Sequence, residues 1–322
     1  FFMGKALPFL AFLFGYSMAH YARRTPELGR FKRRQWKLLV VGILHGALFY
    51  FGDILTCYAL MGLWLSHRIK QPAPVLLASW RWYALLGTVM FFALLWWYWK
   101  NGQPPDNRDW TNPLEVLTHA RTYSLFAQLN ASAYAWQIWT WMLALAPLHL
   151  CLFITGILAA RYRWLSPEPR VPHLFLRPWL YRSWPLALFA NALLAMASVQ
   201  LHRQHGLQAA VGWVAILNIP LGLWLVASSV CALMQRIQRT QTIPAWLMWL
   251  APAGRHTLAM YLSLSVLLVL CGRLGLFTSP SAWNHTAVWF FALLLLWLAA
   301  VRLGQGATKR QMRDPISRWL SR

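Results

Sequence analysis

Asp53 is the residue whose setting most suggests chemistry. It lies between two apolar runs with almost no polar connector, in His45-Gly46-Ala47-Leu48-Phe49-Tyr50-Phe51-Gly52-Asp53-Ile54-Leu55. The other six acids, Glu27, Asp106, Asp109, Glu115, Glu168 and Asp314, fall in loops or tails. An ionisable group next to hydrocarbon is costly and needs a partner, a water-filled cavity or a function. His45 stands in the middle of the preceding run. On a continuous helix Gly52 returns beneath His45 with Asp53 one position further round, and a break at Gly52 turns Asp53 back toward the imidazole. A carboxylate that orients and charges a histidine is the usual arrangement for a general base acting on a hydroxyl. Gly-Asp ahead of an apolar helix is equally the pattern of a turn with Asp as N-cap, and a histidine in an apolar helix can bond a neighbouring carbonyl. Both readings stay open at these two positions, and they are compatible.

Two arginines are further candidates. Arg255 opens an apolar run in Pro252-Ala253-Gly254-Arg255-His256-Thr257-Leu258-Ala259-Met260-Tyr261-Leu262, where a forked guanidinium at a helix start can hold a phosphate. Its alternative is a basic membrane anchor. Arg121, beyond Asn112-Pro113-Leu114-Glu115, can hold an anionic lipid or sugar, against the alternative of a solvated charge. Cys57, Cys151, Cys231 and Cys271 are scattered singly, with no CxxC pair and no Cys/His spacing suited to zinc, so no metal or resident cofactor is expected. No Walker loop, GxGxxG, HExxH or GxSxG occurs.

The elements that must position these residues are read from hydropathy. Of 322 residues, 59% are hydrophobic and only 11% charged, against about 25% charged in a soluble domain. Apolar runs fall near 6–21, 37–51, 54–66, 79–99, 136–160, 184–201, 208–234, 256–277 and 285–303, none alternating with the period of a strand. The expected fold is an all-α, polytopic membrane bundle of about nine spanning helices, ten with one further helix upstream. If each run crosses once, 24 of the 30 basic residues fall on one face, which is then cytoplasmic and holds the C-terminus. That segregation makes membrane lipids the expected partner of the basic clusters and argues against nucleic acid, despite a net charge of +23. The division expected is an N-terminal membrane part, 1–134, ending in an outer-face loop over 100–134, and a C-terminal membrane part, 135–322. Asn112-Pro113-Leu114-Glu115 predicts a short helix lying on the outer surface. Trp80, Trp82, Trp96, Trp97, Trp99, Trp136, Trp139 and Trp141 sit near run ends as interfacial anchors.

Several stretches resemble the YeiB-like family of bacterial inner-membrane proteins, whose C-terminal half is classed as a domain of unknown function. Phe2-Met3-Gly4-Lys5 leading to Leu13-Phe14-Gly15 is similar to its F-x-G-K…LFG segment. Leu44-His45-Gly46 followed by Gly52-Asp53-Ile54-Leu55-Thr56-Cys57-Tyr58-Ala59-Leu60-Met61-Gly62 resembles its most distinctive stretch. Glu115…Arg121, Gly156-Ile157-Leu158-Ala159-Ala160-Arg161 and Pro252 to Leu262 resemble its outer-loop E…R pattern, its G-x-x-L-G-R helix end and its G-R-x-x-L-x-N-Y-L segment. Met260 and Leu264 depart from the family's usual Asn and Gln, Asp314-Pro315-Ile316-Ser317 replaces a Gly-Pro-x-Glu pattern, and the Asp-x-x-Arg-Gly helix is not in the chain. The family is distantly similar to membrane acyltransferases, and that resemblance implies transfer of an acyl group from a cytoplasmic thioester donor to an envelope glycan, lipid or small hydroxylated acceptor. His45 would then be the general base, Asp53 its orienting partner, Arg255 a contact for phosphates of acyl-CoA, and acyl-CoA a co-substrate. The other readings are a proton-coupled transporter using Asp53 and His45, and a non-catalytic membrane protein in which Asp53 only caps a helix.

Overall fold

The computed structural model describes residues 6–24, 28–101, 122–164, 176–244, 248, 257–273, 294–295, 297–299 and 302. All regular structure among them is helical, in nine elements. These are α1 (Ala6–Arg24), α2 (Leu28–Leu48), α3 (Leu55–Ser66), α4 (Ala73–Asn101), α5 (Tyr123–Ala144), α6 (Ala146–Arg161), α7 (Leu176–Arg182), α8 (Trp184–Thr240) and α9 (Thr257–Arg273). The chain forms two compact units, each of three segments: Phe1–Leu28, Trp64–Asp106 and Met142–Thr242 in one, Gly29–Leu63, Asn107–Trp141 and Ile243–Arg322 in the other.

Ala73–Ala93 and Pro220–Ile237 are long and apolar enough to cross a membrane, and only 17% and 11% of their residues are buried. Four shorter apolar helices are Leu55–Ser66, Ala146–Arg161, Trp184–Ala197 and Thr257–Leu267. Trp82, Leu85, Val89 and Phe92 on α4, and Leu186, Phe189 and Met196 on α8, are all exposed. Apolar surface of this extent calls for a partner other than water.

In the first unit α1 and α6 lie side by side and parallel. Gly15 and Gly156 make the approach possible: a Cβ on Gly15 would strike the Phe153 carbonyl, and one on Gly156 would strike the Phe12 carbonyl. Small residues let two helix backbones come this close, as in membrane helix pairs. Phe153, Ile154 and Ile157 are fully buried around the crossing. α4 runs antiparallel to α6, with the Trp80 indole N–H donating to Thr155 Oγ1 at 3.1 Å and Gly87 facing Leu148. At one end of this unit Arg23 donates to the Ala160 carbonyl, and Arg161 reaches across to the Ile69 and Gln71 carbonyls of the α3–α4 turn.

Three expectations change in detail. The run 136–160 is two helices rather than one, because Pro147 sits in the first turn of α6 and cannot continue the ladder from α5. Runs 184–201 and 208–234 share one helical segment of 57 residues, with Pro220 inside it. That segment nonetheless reverses. Thirty residues of straight helix cover about 45 Å, yet Asn191 Nδ2 donates to the Leu221 carbonyl at 2.9 Å and the Trp184 indole N–H to Ser229 Oγ at 3.0 Å. Both pairings centre near Gly206, so the two runs are the arms of a helical hairpin. Finally, residues 123–134 do not lie as a free surface helix. They begin α5, which buries Phe126, Asn130, Ala133 and Tyr134. The start pattern Asn112–Glu115 and nearly all of run 285–303 are outside the described residues.

Candidate functional site

In the second unit α2 carries Gly42, His45 and Gly46 toward its C-terminal end, all buried. Gly42 and Gly46 are one turn apart and clear one face of the helix. A Cβ on Gly42 would sit 2.6 Å from both Thr56 N and Thr56 Oγ1, and one on Gly46 would enter the Tyr134 ring. The start of α3 and the side of α5 therefore press directly on the α2 backbone, one on either side of His45.

α2 stops at Leu48, where its last carbonyls lose their helical donors. Side chains of α5 supply replacements. Asn130 Nδ2 donates to the Gly46 carbonyl at 2.6 Å and the Ala47 carbonyl at 2.8 Å, and Tyr123 Oη donates to the Leu48 carbonyl at 2.9 Å. Asn130 Oδ1 also accepts from the Phe51 N–H at 2.9 Å, which folds the short turn back under the helix. Tyr123, Asn130 and Tyr134 recur at helical spacing, so one face of α5 makes all these contacts.

The turn brings Asp53 to His45. Asp53 Oδ1 lies 2.9 Å from His45 Nδ1, and both residues are 4% exposed. The same oxygen accepts from Tyr261 Oη of α9 at 3.1 Å. Asp53 Oδ2 accepts from the Thr56 N–H at 2.9 Å and from Thr56 Oγ1 at 3.1 Å. The first of these is an N-cap bond to the start of α3. Capping and pairing with histidine are thus both realised, one on each oxygen. Thr56 Oγ1 continues to Tyr134 Oη at 2.6 Å, so hydroxyls from α3, α5 and α9 enclose the carboxylate.

Asp53 is the only carboxylate among the described residues. The His45 ring lies against the Tyr261 ring, centroids 5.0 Å apart, with Phe49 on another side at 6.4 Å. Phe49 packs in turn on the apolar cluster of Phe126, Leu129 and Val269. The Nδ1–H of a neutral imidazole donates to Asp53, which leaves the lone pair on Nε2. That nitrogen is buried and has no hydrogen-bond partner among the described residues. Leaving such a group unpaired costs about 1–3 kcal/mol. It is where a ligand hydroxyl would be held, and an imidazole fixed in this tautomer by a carboxylate can accept that hydroxyl's proton.

His45 and Asp53 are therefore brought together as the sequence suggested. Arg255 and Arg121 lie outside the described residues. Sequence reasoning missed Thr56, Tyr134, Asn130 and Tyr261. Thr56 was detectable as the residue three after a capping Asp, and Gly42-x-x-x-Gly46 as a close-approach pattern. Asn130 and Tyr134 are too distant in sequence to carry any local signal. No group of three metal-ligating side chains occurs among the described residues, and Cys57 and Cys151 are free thiols. The chain matches no protein-family model, and comparison with curated proteins and with solved structures finds none similar to it.

Proposed function

We propose that the chain is a multi-pass inner-membrane enzyme of the YeiB-like kind, which moves an acyl group from acyl-CoA on the cytoplasmic side to a hydroxyl of an envelope glycan, lipid or small acceptor. The observation that carries the reading is the buried His45–Asp53 pair, with Nε2 left without a protein partner among the described residues. In the reaction, Nε2 removes the acceptor hydroxyl's proton as its oxygen attacks the thioester carbonyl. Asp53 stabilises the resulting imidazolium. Collapse of the tetrahedral intermediate breaks the carbon–sulfur bond, and the departing thiolate takes up the proton, giving an ester and free CoA. Positioned proton transfer of this kind contributes roughly 10²–10⁴-fold to a rate. Arg255 would hold donor phosphates and Arg121 an anionic lipid or sugar.

The membrane part of the reading has its own support. Two helices are long, apolar and mostly exposed. The C-terminal ends of α1 and α6 and the α3–α4 turn meet at one end of their unit, all at positions assigned to the basic, cytoplasmic face. α4 runs opposite to α6, as alternate crossings require. Proton-coupled transport is less well supported, because a coupling carboxylate must change its exposure. Asp53 receives hydrogen bonds on both oxygens from three residues.

The test is acyl transfer by the purified full chain, in lipid, from radiolabelled acyl-CoA to endogenous envelope glycans and lipids. Transfer that falls at least about 100-fold in His45→Gln while the fold is retained would support the reading. Transfer at the wild-type rate in that variant, or no acyl-CoA turnover by the wild type, overturns it.

A further inference from the structure

We propose a phosphate-binding site at the end of the first unit where α1, α6 and the α3–α4 turn meet, built from the guanidinium groups of Arg23, Arg161 and Arg163 and the indole N–H of Trp164. Its ligand is a phosphate monoester or diester, from either an anionic phospholipid headgroup or the phosphates of coenzyme A. It shares no residue with the His45–Asp53 pair and does not rest on the acyl-transfer reading, since a lipid phosphate would occupy it equally.

α6 ends in a Schellman-type turn. The Trp164 N–H bonds the Ala159 carbonyl at 2.9 Å, and Arg163 takes the left-handed conformation with φ 56°. Arg23 arrives from α1 and donates to the Ala160 carbonyl at 3.1 Å, so its guanidinium lies at this same turn. Arg161, one residue on, faces the α3–α4 turn, where Arg68 donates to Ser79 Oγ at 2.7 Å. A guanidinium has five N–H donors in a planar fork. Among the described residues Arg23 commits one of these bonds and Arg161 two, so donors remain on both.

Among the described residues no carboxylate neutralises these groups, because the only one, Asp53, belongs to the other unit. Burial, and after it the nearby charge of Arg23, pulls the Arg161 guanidinium below its ordinary value. The C-termini of α1 and α6 offset some of this charge, but each amounts to only about −0.5, against three full positive charges. Among the described residues the balance remains positive. A second feature points the same way: the Trp164 indole N–H is buried and lacks an acceptor among the described residues. Forked guanidinium groups and a ring N–H, gathered at one helix end, suit phosphate oxygens.

The experiment uses the purified full chain. Native mass spectrometry after exchange into an equal mixture of phosphatidylglycerol and phosphatidylcholine reads lipid preference, and calorimetric titration with coenzyme A reads the soluble source. The test variant combines Arg23→Gln with Arg163→Asn, since Asn tolerates the left-handed conformation. Arg161 is left in place because its carbonyl bonds hold the α3–α4 turn. Selective phosphatidylglycerol retention, coenzyme A binding, or both, weakened about tenfold or more in the double variant and largely kept in Arg23→Lys, supports the site and names the source. Absence of both in the wild type, or binding unchanged in the double variant with an unaltered thermal melt, overturns it.

Discussion

Replacing Asp53 by Asn should switch the tautomer of His45 while leaving most of the fold intact. The wild-type carboxylate offers two acceptor oxygens, Oδ1 to His45 and Tyr261, Oδ2 to Thr56. The Asn amide offers one oxygen and one NH2 group, so one set of donors must face another donor. The Thr56 backbone N–H has no alternative, and the amide oxygen therefore turns toward Thr56 and keeps the cap. The NH2 group then faces His45 Nδ1, and the imidazole relieves the clash by moving its proton to Nε2. The cost is the charge assistance of one hydrogen bond and a lost acceptor for the Tyr261 hydroxyl, together about 1–3 kcal/mol. Asp53→Ala loses the cap as well, worth about 1 kcal/mol. It also leaves the buried N–H of His45 and O–H of Tyr261 unpaired at about 1–3 kcal/mol each, for a total of roughly 3–7 kcal/mol. The assay is 15N NMR of histidine-labelled protein in detergent, with the His45 resonances identified by their loss in His45→Gln. The expected pattern is a proton on Nδ1 in the wild type and on Nε2 in Asp53→Asn, with melting temperatures in the order wild type, Asn, Ala. A neutral wild-type His45 carrying its proton on Nε2, or an Asn variant with the wild-type pattern, would refute the reasoning.

Asn130→Leu, of similar size, should destabilise the second unit by about 2–4 kcal/mol, because it strips two carbonyls at the end of α2 and the Phe51 N–H of their partner. Chemical denaturation measures the loss, and a change under about 0.5 kcal/mol would contradict the capping role. Gly156→Ala should separate α1 from α6 and cost about 1–3 kcal/mol, as overpacking does; a thermal melt equal to wild type would show that the helices do not touch there. Arg161→Lys should keep the charge but lose the paired contact with the Ile69 and Gln71 carbonyls. Amide exchange in residues 67–76 is then expected to accelerate about tenfold, and unchanged protection would remove the clamp.

How far the fold and the site are legible in the sequence depends on the distance between partners. His45 and Asp53 are eight residues apart, and the rarity of charge near apolar runs makes Asp53 conspicuous from composition alone. The turn that joins them is readable from Gly52, but its fastening is not, because Asn130 comes from a helix 84 residues beyond Gly46. Hydropathy locates helices well and joints poorly. It renders 136–160 as one run because it ignores backbone donors, although Pro147 marks the break. It separates 184–201 from 208–234 correctly by the polar stretch between them, which is where the two arms reverse. The basic residues before run 37–51 have the look of a connector. They form the first turns of α2 because Phe31 and Gln35 bury one face there.

The pairing of α1 with α6 also bears on how the chain is made. Arg23 and the Ala160 carbonyl it holds are 137 residues apart. A ribosome adding about 5–20 residues each second needs roughly 7–27 seconds to supply that partner. Throughout this interval the notch at Gly15 stands open beside its neighbours, ready to accept any other helix with a small residue at the right place. The α8 hairpin, whose arms meet soon after they are made, has no such wait. Mispairing at this notch is therefore most open in the interval after α1 is made and before α6 follows it.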